Sequence, residues 1–191
     1  VFNTAKVEPG SRTAVFGIGG VGLNVVQGCA TAGAEMVVAV DTNESKLAMA
    51  REFGATHTIN LSEVEDAAKA IRKLTGGVDY AFECVGADTV VEQAYKTLGR
   101  GGTAVVVGVS EPKDKTSITT LSLPADERVL RGSWLGSARP VYDFPRILGL
   151  YKAGRIKLDE LVTRTYTIDE APQAFDDMVA GKNARGVIVF D

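Results

Sequence analysis

Histidine, cysteine and long apolar runs are scarce in this chain, and each shortage removes a class of function. There is one histidine, His57, and there are two cysteines, Cys29 and Cys84, among 191 residues. They form no C-x-x-C or H-x-x-x-H pair, so the spacing of a zinc site is missing and no metal ligand is assigned to this chain. Two cysteines cannot build a disulfide framework. In their apolar surroundings they read as buried free thiols, which fits a reducing, cytoplasmic setting. No G-x-S-x-G, no H-E-x-x-H and no suggestively spaced pair of carboxylates occurs, so no catalytic residue is assigned either. No apolar run approaches the ~20 residues of a membrane-spanning helix. Lys and Arg number 21 against 24 Asp and Glu, a net charge of -3, which recruits neither nucleic acid nor an anionic membrane.

What is present is an alternation. Short apolar segments at Arg12 to Phe16, Met36 to Val40, His57 to Asn60, Val78 to Cys84 and Thr103 to Val107 read as strands. Between them, Leu23 to Ala32, Thr42 to Phe53, Ser62 to Leu74 and Asp88 to Leu98 read as helices, each stopped by a glycine. The continuous apolar run at Met36 to Val40 suits a strand covered on both faces. The pattern predicts an α/β fold, a doubly wound parallel sheet of the Rossmann kind. Val129 to Trp134 is a sixth strand at the sheet edge. Helices are expected at Tyr142 to Lys152 and, with Asp169 near its N-cap, at Asp169 to Ala180, and strands at Val162 to Ile168 and Val187 to Phe190. The rhythm breaks near Leu161, which separates residues 1–160 from residues 161–191.

The turn between the first strand and first helix is Gly17-Ile18-Gly19-Gly20-Val21-Gly22, a G-x-G-x-x-G match. In that pattern the first glycine makes the tight turn. The second lets a pyrophosphate approach the backbone, and the third lets the helix pack closely. The helix N-terminus then offers free N–H groups and a positive dipole end to phosphate. The second strand ends in Asp41, about twenty residues on, where a carboxylate accepts from ribose hydroxyls. A carboxylate there would meet the 2′-phosphate of NADP at a cost of roughly 1 to 4 kcal/mol at about 4 Å. No arginine follows, so NAD is the expected cofactor. Lys46 stands a turn further on, within reach of the ribose edge. Glu83-Cys84-Val85-Gly86 and Val107-Gly108-Val109 end two further strands on the same expected crevice. His57 opens its strand and so belongs at the opposite end.

Ala14 to Leu23, Val40-Asp41, Glu52 to Thr56, Glu83 to Gly86, Val107 to Val109 and Gly181 to Gly186 together resemble the medium-chain, zinc-dependent alcohol dehydrogenases. The likeness runs the whole length and leans toward the glutathione- and mycothiol-dependent formaldehyde dehydrogenase branch. It implies that Gly17, Ile18, Gly19, Gly20, Val21 and Gly22 hold the pyrophosphate, with Arg185 reaching it too. It implies that Asp41 and Lys46 hold the adenosine ribose. Cys84, Val85, Val107, Gly108, Val109, Ser133, Trp134 and Leu135 would face the nicotinamide half. It further implies hydride transfer between NAD and a primary or secondary alcohol, or an aldehyde adduct. The zinc of the intact protein would be ligated outside this chain.

The same resemblance makes the chain the coenzyme part of a longer protein, with residues 161–191 returning to a catalytic domain that precedes it. The isolated chain is then expected to bind NADH weakly and to oxidise no alcohol. It also implies a homodimer joined through the edge strand at Val129 to Trp134, since an unprotected edge invites pairing. Two other readings stand beside it: a free-standing NAD-binding sensor, and a zinc-free NAD(P)H quinone or enone reductase, against which Asp41 counts.

Overall fold

The computed structural model describes residues 1–190. Six strands make one sheet: β1 (Arg12–Phe16), β2 (Met36–Asp41), β3 (His57–Asn60), β4 (Val78–Glu83), β5 (Leu98–Val106) and β6 (Val129–Gly132). Their order across the sheet is β3-β2-β1-β4-β5-β6, and every neighbouring pair is parallel. The expected doubly wound sheet is therefore the observed one. Strand order reverses between β1 and β4, which opens a crevice beyond their carboxyl ends.

Parallel strands need crossovers, and helices supply them. These are α1 (Gly20–Thr31), α2 (Glu44–Glu52), α3 (Ala67–Thr75) and α4 (Asp88–Thr97). One face of the sheet places Ala14, Phe16, Val38, Val40, Ala81 and Ala104 in a core with Ala67 and Ile71 of α3 and Ala94 and Tyr95 of α4. Ile71 is wholly buried there, a burial that stabilises by about 1.5–3 kcal/mol. The alternate residues Val15, Val37 and Ala39 are as deeply buried, and α1 and α2 pack along β1, β2 and β3. A strand buried on both faces is why Met36 to Val40 reads as an unbroken apolar run.

Several boundaries differ from the expectation. The first helix begins at Gly20, inside the glycine turn, because Gly19 already has extended dihedrals and serves as its N-cap. The third helix begins at Ala67 rather than at Ser62. The hydroxyl and N–H of Ser62 are engaged by Asn60 Oδ1, and Asp66 caps the helix by accepting from Lys69 N–H at 2.9 Å. β5 starts at Leu98, earlier than Thr103, with a register shift against β4 between Val78 and Tyr80. The edge strand stops at Gly132, so Ser133 and Trp134 lie beyond it, and Leu135 takes a positive φ of 47°.

The chain divides into two compact units, Val1–Phe144 and the residues from Pro145 on. The division falls inside α6 (Pro140–Lys152), earlier than the break near Leu161 in the sequence rhythm. The second unit holds a two-stranded parallel ladder of β7 (Arg164–Tyr166) and β8 (Gly186–Ile188), with α7 (Ala171–Val179) between them in sequence. Both strands are shorter than the alternation suggests. Before α7, Thr167 and Glu170 form a capping box over a short 3-10 turn, so Asp169 is not the cap. No helix among the described residues is long and apolar enough to cross a membrane.

Candidate functional site

Gly17 leaves β1 with φ +86°, a left-handed conformation that costs a side chain but not glycine. A Cβ there would also lie 2.5 Å from Val85 Cγ2. Gly22 is tighter still: its Cβ would stand 1.9 Å from the Gly17 carbonyl oxygen, so only glycine lets α1 start this close to the turn. Gly19 differs from both, since nothing lies within 4 Å of the position a Cβ would take. Among the described residues no side chain caps α1, and the N–H groups of Gly20, Val21 and Gly22 find no acceptor. Unspent donors at a helix N-terminus beside an open glycine face fit a pyrophosphate.

Asp41, buried at the end of β2, joins this turn. Its Oδ2 accepts from Ile18 N–H at 2.7 Å and its Oδ1 from Asn43 N–H at 3.0 Å. Asn43 in turn caps α2 through Ser45 N–H. One carboxylate therefore pins the glycine turn to the head of α2. Each oxygen keeps a further lone pair, the kind of acceptor a ribose hydroxyl needs. Lys46 lies half-buried in the first turn of α2.

The ends of β4 and β5 meet as the reading of the strand ends requires. Cys84 N–H donates to Phe16 O at 2.9 Å, which sets the Cys84-Val85-Gly86 turn beside Gly17. Val107 and Gly108 donate to Glu83 O at 2.8 and 3.0 Å, and Ser133 donates to Val106 O at 2.9 Å. With those N–H groups engaged, Val107, Gly108 and Ser133 have carbonyl oxygens rather than amides to offer a ligand. Ser133 Oγ also shares a hydrogen bond of 2.9 Å with Thr4 Oγ1. Trp134, Leu135, Val85 and Val109 are exposed. Arg185 is an exposed residue of the second unit, where its carbonyl accepts from Thr163 N–H at 3.1 Å.

Burial disfavours the thiolate form of both cysteines. Burial pushes each up to about 12, and the neighbouring Glu83 adds to the effect at Cys84. Cys84 is half-buried by surface, more open than the sequence suggested, while Cys29 is fully enclosed. Among the described residues no group of three or more His, Cys, Asp or Glu could hold a metal ion, so no zinc ligand set exists there. His57 opens β3 at the end away from the crevice, exposed, with Nδ1 2.9 Å from Thr56 Oγ1.

Two residues carry no role of their own in the sequence reading. Thr4 is buried and links Ser133 and Ser137, a contact with no local spacing to betray it. Glu83 is fully buried at the end of β4. A visible signal existed, namely an acid closing an otherwise apolar segment, Ala81-Phe82-Glu83, next to Cys84-Val85.

A parallel sheet in this order, with a glycine turn and an acid at its reversal point, defines a Rossmann domain of the dinucleotide-binding type. The profile of the zinc-binding dehydrogenases matches residues 20–153, and the chain belongs to that family. It is 39% identical over 198 residues to an S-(hydroxymethyl)glutathione dehydrogenase of Paracoccus denitrificans, covering 100% of this chain and 52% of the relative. An NDMA-dependent alcohol dehydrogenase of Amycolatopsis methanolica is 43% identical over 190 residues, covering 96% and 50%. The crystal structure of an alcohol dehydrogenase zinc-binding domain protein from Burkholderia ambifaria superposes with a TM-score of 0.95 at 37% identity, covering 100% of this chain and 51% of that one. The chain thus spans about half the length of the relatives it matches.

Proposed function

We propose that this chain is the NAD-binding part of a zinc-dependent alcohol dehydrogenase, acting on a primary or secondary alcohol or an aldehyde adduct. NAD takes up the hydride in such a reaction, and zinc polarises the alcohol oxygen from ligands outside residues 1–190. The residues of this chain bind and orient. The N–H groups of Gly20, Val21 and Gly22 hold the pyrophosphate across the open face of Gly19. Asp41 and Lys46 hold the adenosine ribose. Carbonyls of Val107, Gly108 and Ser133, with the exposed surfaces of Val85, Val109, Trp134 and Leu135, receive the nicotinamide half. The observation that supports this reading is the hydrogen bond from Ile18 N–H to Asp41, which holds a carboxylate against the glycine turn.

NAD is favoured over NADP because a buried carboxylate at this place opposes a 2′-phosphate. The test titrates the protein with NADH and NADPH, following nicotinamide fluorescence, in the wild type and Asp41→Asn. The asparagine keeps one acceptor for the turn and removes the charge. NADH should bind better than NADPH to the wild type, and the variant should narrow that preference by about tenfold. Selectivity that does not move would show that Asp41 does not read the ribose. The assembly we expect is a two-fold dimer through β6, whose Val129 and Leu130 are exposed at the sheet edge. Leu121 and Leu123, which precede this strand, are themselves exposed. Light scattering that returns a monomer mass well above micromolar concentration would exclude it.

A further inference from the structure

Glu83 does more than close a strand. Its Oε1 accepts from Val85 N–H at 2.6 Å and from Gly86 N–H at 2.7 Å. Its main-chain oxygen accepts from Val107 and Gly108. A single residue therefore ties the turn after β4 to the turn after β5. Its Oε2 is buried and has no partner, an unusual expense for an ionisable group removed from water. The two turns it ties are in closest contact. A Cβ on Gly86 would meet Val109 O at 2.5 Å, and one on Gly108 would meet Gly86 N at 2.1 Å and Glu83 Oε2 at 2.7 Å. These turns have no slack, so whatever holds residues 84–86 also sets residues 107–109.

We infer that Glu83 is a positioning residue for the nicotinamide half of the coenzyme. Its carboxylate fixes Val85 and Gly86, and through them Val107 to Val109, in the conformation that receives the nicotinamide end. Its carboxylate makes no hydrogen bond to Asp41, whose own hydrogen bonds at 2.7 and 3.0 Å hold Ile18 and Asn43 at the other end of the crevice. Removing Glu83 leaves two partly buried N–H groups without their acceptor, and the turn must move to satisfy them. The inference rests on the coenzyme reading above.

The experiment compares two probes on the full chain: AMP, which reports the adenosine end alone, and NADH, which needs both ends. In Glu83→Ala, NADH binding should weaken by about tenfold or more while AMP binding stays within about twofold. Glu83→Gln keeps an oxygen for both N–H groups and should hold NADH within about threefold of the wild type. Should the alanine variant fail to fold, Glu83→Asp, one methylene too short to serve both N–H groups, must show the same selective loss. Equal loss of AMP and NADH, or a glutamine variant as weak as the alanine one, overturns the inference and leaves the coenzyme reading standing. A wild type that binds neither probe overturns the coenzyme reading itself.

Discussion

Two buried carboxylates, one in each compact unit, are treated in opposite ways. Glu83 is served by backbone N–H groups alone and keeps one oxygen idle. Asp177 of α7 is served by side chains. Arg164 Nη1 and Tyr166 Oη donate to its Oδ2 at 2.7 and 2.9 Å, and Gln173 Nε2 and Lys182 Nζ to its Oδ1 at 2.9 and 3.2 Å. Asn183 continues the network through Tyr166. The contrast follows from what surrounds each. Glu83 sits at the end of a sheet with a large apolar core on both faces, so stability comes from elsewhere and the acid is free to shape a crevice. Among the described residues from Pro145 on, only Leu161 and Tyr166 are buried hydrophobics. A unit with so small a core is held by a satisfied polar cluster instead. Glu83 ties two strand-end turns together, whereas Asp177 staples the elements of its own unit.

The sharpest way to break the first half of this comparison leaves the acid alone. In Gly22→Ala a Cβ would stand 1.9 Å from Gly17 O, a backbone atom that cannot swing aside. Overpacking of this kind costs about 1–3 kcal/mol and sometimes more. Because the clash lies at the phosphate turn, NADH binding should vanish in titration together with the loss of stability in thermal melts. A Gly22→Ala protein with wild-type NADH affinity would show that the turn is not the phosphate cradle.

How much of this was legible beforehand depends on whether the information was local. The alternation of strands and helices follows from hydrophobic runs and glycine stops, and the sheet order confirms it. Gly17, Gly19 and Gly22 carried their distinct jobs in their spacing, and the structure assigns them a strained turn, an open face and a closed contact respectively. Asp41 was legible by its distance from the glycines, although its hold on Ile18 N–H was not. Helix starts were misplaced where two side chains competed for the same role, as Ser62 and Asp66 did. Glu83 and Asp177 were missed for a different reason. The partners of Glu83 come from the ends of two strands, and those of Asp177 from positions 164, 166, 173 and 182, which share no period. The carboxylate partners of Glu83 are local and its acid was visible at the strand end, but its main-chain tie to Val107 and Gly108, like the Asp177 network, exists only once the chain is folded.

The staple can be loosened without touching a cofactor site. Asp177→Ala strands the buried Tyr166 hydroxyl without an acceptor, while the exposed Gln173, the half-exposed Arg164 and the exposed Lys182 turn to water. Amide protection along β7, β8 and α7 should fall in hydrogen exchange. The effect should be smaller than that of Gly22→Ala, since three of the four donors resolvate. Unchanged protection would mean that the cluster decorates the unit rather than holding it.

The mildest test uses protons. The hydrogen bond from Tyr166, with those from Lys182 and Gln173, holds the Asp177 carboxyl below the usual aspartate range. A carboxyl with a depressed folded pKa stabilises the fold above its unfolded value. That contribution is lost as pH falls through the folded one. Protection in β7, β8 and α7 should therefore be flat from neutrality down to about pH 4, the unfolded aspartate value, and decline below it. Asp177→Asn has no proton to gain, so its protection should be lower at neutral pH and lack this acid step. If the step persists in the asparagine variant, another carboxylate governs it, and Asp177 holds the unit by shape and hydrogen bonding rather than by charge.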